Sequence, residues 1–137
     1  MPNVQILALF LLAAAAAFYL WRGVQRRIRA DERFFLSLVE RVSQVVQSRG
    51  FRLVRNQHFP NSFGHRIAVF EGAGAFLDLA LDGKERDVRL SRRTSDSRTA
   101  TGEVLADRYL GFYPSEADYD RATAAIVDAI ASVDGAA

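Results

Sequence analysis

Residues 1–21 carry no charged side chain, whereas 18 Lys and Arg and 16 Asp and Glu are spread over residues 22–137. Within that opening stretch, residues 4–21 read VQILALFLLAAAAAFYLW, with Gln5 the one polar side chain. As a helix this segment measures ~27 Å, close to the ~30 Å hydrocarbon core of a bilayer. Apolar side chains surround its whole circumference, so it has no polar face to turn to solvent from a domain surface. Phe18, Tyr19 and Trp21 gather at its C-terminal end, where amphipathic rings favour the headgroup level. Arg22, Arg26, Arg27 and Arg29 follow, and with Trp21 they form the expected membrane-interface set. Cationic flanks stay on the cytoplasmic side, which predicts the N-terminus outside and the rest of the chain inside. The rival reading is a signal peptide cleaved near residues 13–17, releasing a periplasmic domain. A signal peptide places its positive charge before the apolar stretch, and here the charge comes after it. Ala13 and Ala17 have the small-xxx-small spacing that lets transmembrane helices approach, which leaves a homo-oligomer open. In a run of alanines that spacing is unavoidable.

The rest of the chain is long enough for one small domain. From residue 31 onward there are 14 basic and 16 acidic side chains, so the overall net charge of +2 comes from the arginines beside the apolar segment. A duplex-binding domain draws its affinity from unbalanced cations, and this part has none in excess. Zero cysteines exclude disulfides, thiolate metal sites and a cysteine nucleophile. Seventeen of the basic residues are Arg and one is Lys, a bias that suggests a GC-rich bacterial genome.

The periodicities predict an α+β domain over residues 31–137. Phe35, Leu38, Val39, Val42, Val45 and Val46 give residues 31–48 a helical stripe, ended at Gly50. Residues 51–57, 65–71, 75–82 and 86–92 read as strands, with turns at 60–64, at Gly72 and Gly74, and at Asp82-Gly83. In the third of these, Leu77, Leu79 and Leu81 share the inward face and Asp78 and Asp82 the solvent face. Truncating Leu79 should therefore cost far more than truncating Asp78. Residues 94–102 read as a polar loop and residues 103–110 as a short helix. Ser115 caps a last helix running to about residue 133, whose stripe is Ala122, Ala125, Ile126, Ala129, Ile130 and Val133. The expected architecture is anchor (1–22), basic segment (23–30), then helix, four-stranded antiparallel sheet and helix, with both helices on one face of the sheet.

Chemistry is sparse. His58 and His65 flank the loop FPNSFG and could hold a metal with Glu71 or Asp78, the basis of a small metal-dependent hydrolase, but no HExxH or comparable spacing supports them. Nucleotide-binding glycine motifs and a nucleophile elbow are missing from the sequence. Neither a cofactor nor a metal is expected. The densest charge feature is the run Lys84, Arg86, Arg89, Arg92, Arg93 and Arg98. Arg89 and Arg93 should project from one solvent face. Such a strand either guards a sheet edge against aggregation or docks an acidic partner, which marks Arg89, Arg92, Arg93 and Arg98 as candidate protein-binding residues. The functional expectation is a non-catalytic, membrane-anchored cytosolic domain that binds another protein, as a complex subunit, assembly factor or immunity-type inhibitor.

Overall fold

The helical stripe predicted at 31–48 belongs to a longer helix, α1 (Pro2–Gln47), which also takes in the apolar segment. A computed structural model describes residues 2–72, 74–94 and 102–133. Its chain divides into two units, Met1–Glu32 and Arg33–Ala137. In the first unit, an 18-residue window has a mean hydropathy of 2.1 and none of it is buried within the protein, so the helix is long and apolar enough to cross a membrane. The Phe18 and Trp21 rings lie 6.2 Å apart, and the Arg22 guanidinium sits over Phe18 at 5.7 Å.

In the second unit, α1 ends in a Schellman motif. Gly50 adopts φ +84°, donating to the Gln47 carbonyl, while the Phe51 N–H reaches the Val46 carbonyl. The chain then enters β1 (Arg52–Phe59), β2 (His65–Gly72), β3 (Ala75–Asp82), β4 (Asp87–Arg93) and β5 (Glu103–Tyr109), and closes with α2 (Glu116–Ala131). All four strand pairings are antiparallel, in the spatial order β1-β2-β3-β4-β5. Both helices cover one face. Phe35, Leu38, Val42 and Val46 of α1 and Ala122, Ile126 and Ile130 of α2 share one core with Leu77, Leu79, Leu81, Val88 and Leu90. Ser115 caps α2 as expected, its hydroxyl accepting from the Asp118 N–H while the Asp118 carboxylate accepts from the Ser115 N–H. Arg49 ties the two helix ends together by donating to the Val133 and Ala131 carbonyls.

One expected element is corrected. Residues 103–110 are not a short helix: Glu103–Tyr109 is a fifth strand, so the sheet has five strands, not four. A helix there would have left the outer edge of β4 without backbone partners. Gly102 lets the new strand start close to β4, since a Cβ there would lie 3.0 Å from the Arg92 carbonyl oxygen. A register shift at Leu90/Ser91 breaks the alternation of β5 and leaves Leu105 and Ala106 both packed on the core. The 94–102 stretch, apart from Thr94 and Gly102, lies outside the described residues.

Candidate functional site

Of the expected docking residues, Arg89 and Arg93 fall on the face of the sheet opposite the helices, whereas Arg92, registered opposite Leu77, lies on the helix-covered side, and the register decides what they do there. Asp78 stands between Val69 of β2 and Ser91 of β4. Arg93, two residues beyond Ser91, reaches back diagonally to it. Its Nε and Nη2 donate to the two Asp78 oxygens at 2.5 and 3.0 Å, a two-pronged pair. The same guanidinium lies 4.7 Å from the centre of the Phe76 ring. The Arg93 side chain is only 8% exposed and that of Asp78 22%. Arg93 therefore does not project into solvent beside Arg89.

Arg89 stays half exposed and bridges two carboxylates, Asp87 at 3.3 Å on its own strand and Asp107 at 3.1 Å on β5. Desolvation raises the Asp87 carboxyl above its ordinary pKa, helped by a hydrogen bond with the Asp107 carboxyl and by that neighbour's negative charge, against the opposing pull of Arg89. A carboxyl raised on folding contributes most below its unfolded pKa, and the contribution fades as pH rises through the folded value. Asp82 and Asp118 work the other way. Backbone N–H groups of Glu85 and Lys84 lower Asp82, and the Ser115 N–H lowers Asp118 with help from Arg121. Their contributions are present above the unfolded pKa and are lost as pH falls through the depressed values. On β1, Arg52 faces Glu71 at 3.6 Å.

The edge-guard reading of the arginine run does not hold. β4 is paired on both sides, so it is not an edge in need of guarding. Of the four arginines, Arg93 is held inside the face and Arg89 is neutralised by two aspartates. Arg92 is half-buried opposite Glu103, and Arg98 lies outside the described residues. Arg86, read as a strand cation, is instead a turn residue. It adopts φ +60°, is 2% exposed and donates from Nε to the Gly111 carbonyl at 3.0 Å. A close succession of Gly, Lys and Glu after Asp82 is the one signal that a turn could extend this far.

His58 and His65 are not brought together. His58 pairs with Arg66 and His65 with Phe59, neighbouring rungs of the same ladder, so the two imidazoles point to opposite faces of the sheet. Among the described residues there is no group of three or more His, Asp or Glu arranged to hold a metal ion. A groove of about 460 Å³ runs between β5 and α2, lined by Arg108, Tyr109, Asp118, Arg121 and Asp128 over an alanine floor. Its two cations and two anions give it no preference for either sign. Membrane-interface candidates Trp21, Arg22, Arg26, Arg27 and Arg29 all lie in the first unit, with Trp21, Arg22, Arg26 and Arg29 exposed. No family model, curated protein or solved structure matches the chain.

Proposed function

We propose that this chain is a single-pass protein of a bacterial plasma membrane, N-terminus outside, whose cytosolic α+β domain works without catalysis by binding another protein. The uncharged segment and the arginines that follow it support the anchor and its orientation. The excess of Arg over Lys supports the bacterial origin. A subunit or assembly factor of a membrane complex, or an immunity-type inhibitor, would use a tethered domain of this kind.

The observation that carries the binding role is the face of the sheet left uncovered by both helices. Ile67 and Phe76 lie half-buried on it beside the Arg93–Asp78 pair, and Val69 is 3% exposed. Phe76, Arg93 and Asp78 are already fixed by mutual contacts, so a partner would lose little entropy in ordering them. Because Arg89 and Arg93 are matched by aspartates, the fit rests on shape and apolar contact more than on net charge.

Photo-crosslinking in native membranes tests this. A photoreactive residue at Ser91 or Gln57, both on the uncovered face, should give one discrete protein adduct that persists at raised salt. The same residue at Gln44, on the exposed side of α1, should not. Adducts from Gln44 alone, or none from Ser91 and Gln57, would contradict the reading.

A further inference from the structure

We infer that one end of the domain, built by the 60–64, 83–86 and 110–114 loops, docks onto the phospholipid headgroup layer. The inference rests on the reading of residues 4–21 as a membrane anchor. The antiparallel register brings these loops together: β1 ends where β2 begins, and β3 ends where β4 begins, opposite the end of β5. They are also bound to one another. Gly83 packs so tightly on the first loop that a Cβ would lie 1.7 Å from the Phe63 carbonyl oxygen. The Leu110 N–H donates to the Arg86 carbonyl at 2.7 Å, and the Arg86 Nε donates to the Gly111 carbonyl.

This joined end displays aromatic rings to solvent. Phe63 is 72% exposed, Phe112 61% and Tyr113 73%, with Tyr109 beside them. Phe63 is the most telling. It adopts φ +58°, a left-handed conformation that suits Gly or Asn and disfavours a bulky side chain. An exposed ring held there buries little apolar surface within the domain, which points to a role at the surface. Several rings at one end of a small domain mark an interaction surface rather than scattered surface apolarity.

The position of this end in the fold selects the bilayer as occupant. The chain enters the domain at Arg33, and Phe34 stacks on Tyr119 in the first turns of α2, with ring centres 4.6 Å apart. The entry point is thus at the end that carries the aromatic loops, and the Gly50 and Gly72–Gly74 turns are at the other. Residues 22–32 join the apolar segment to the domain at this end, so chain connectivity alone tethers it to the anchor at high local concentration. Charge does not choose the occupant, since the exposed cations Lys84, Arg108 and Arg121 are outnumbered at this end by Asp82, Glu85, Glu116, Asp120 and Asp118, the last paired with Arg121. The rings do, because Phe and Tyr favour the depth where apolar and polar environments meet.

The test uses the full chain, which has no native cysteine, reconstituted in vesicles of phosphatidylethanolamine and phosphatidylglycerol. Single substitutions Ser62→Cys, Ser48→Cys and Leu12→Cys carry an environment-sensitive fluorophore, and nitroxide lipids quench it from the headgroup or from the mid-chain position. Ser48 marks the far end of the domain. The inference predicts headgroup quenching at Ser62, none at Ser48, and mid-chain quenching at Leu12. Adding Phe63→Ser, Phe112→Ser and Tyr113→Ser should lower quenching at Ser62 to the Ser48 level while the circular dichroism spectrum is unchanged. Quenching at Leu12 without quenching at Ser62 overturns the inference and leaves the anchor standing, assigning the rings to a protein instead. No quenching at Leu12 overturns the anchor and the inference with it. Should the triple variant fail to fold, the contrast between Ser62 and Ser48 in the otherwise unaltered chain still decides.

Discussion

Leu79→Ala is expected to lower the stability of the domain by about 2–5 kcal/mol, the range for removing a fully enclosed leucine. Leu79 is 0% exposed at the centre of β3, registered between Ala68 and Leu90. It faces the stripes of both helices, and backbone pairing on both sides keeps its strand from closing over the hole. A small domain has only about 5–15 kcal/mol of stability, so this one substitution removes a large share of it. Urea denaturation of the wild-type and variant proteins gives the difference. A loss below ~1 kcal/mol would mean that the site collapses around the cavity, against the two-layer packing described here.

Asp78→Ala, one residue away on the opposite face, is the second large effect. Alternation alone makes Asp78 a solvated carboxylate whose removal costs little. The register instead places it under Arg93, whose guanidinium is nearly enclosed between the carboxylate and the Phe76 ring. Removing one member of an enclosed pair strands the other charge, and full burial would make that cost about 3–5 kcal/mol. The partial exposure of Asp78 reduces the expectation to ~1–3 kcal/mol, still well above the ~0.5 kcal/mol of an exposed pair. Replacing both residues with leucine should recover most of the loss, because no orphaned charge remains. Arg93→Glu should be worse than Asp78→Ala, since it sets two carboxylates against each other. Equal stabilities for Asp78→Ala and wild type in urea would show that the pair does not form in solution.

These two neighbours show what the sequence makes legible. Period-two alternation assigns Leu79 and Asp78 to opposite faces, and the faces are as expected. The partner of Asp78 was beyond reach, because a diagonal contact depends on the register between β3 and β4, which the turn sets and the composition does not. The strands at 75–82 and 87–93 are legible for the same reason as Leu79, their alternation, whereas β2 is marked by the apolar run Ile67–Phe70 between turn residues and β1 alternates only at its start. β5 is not legible. Glu103, Leu105 and Ala106 are sound helix formers, and the shift opposite Leu90/Ser91 removes the alternation that would have marked a strand. Pairing with β4 overrode local preference. The uncovered face could be inferred from placing both helices on one side. Its internal neutralisation could not, since Arg89 meets Asp107 only through the fifth strand. The grouping of Phe63, Phe112 and Tyr113 is not legible in the sequence, because only the topology brings their loops to one end.

The most direct test of the account is the sidedness of the chain in the membrane. The protein lacks cysteine, so Asn3→Cys and Gln57→Cys each introduce a single thiol, one on either side of residues 4–21. Spheroplasts expressing each variant are treated with a membrane-impermeant maleimide before and after lysis, and the mass of the purified chain is measured. A full-length chain should be found, with Asn3→Cys labelled in intact spheroplasts and Gln57→Cys labelled only after lysis. Labelling of Gln57→Cys in intact spheroplasts, or a chain beginning near residue 18, would contradict a cytosolic domain held by an uncleaved anchor.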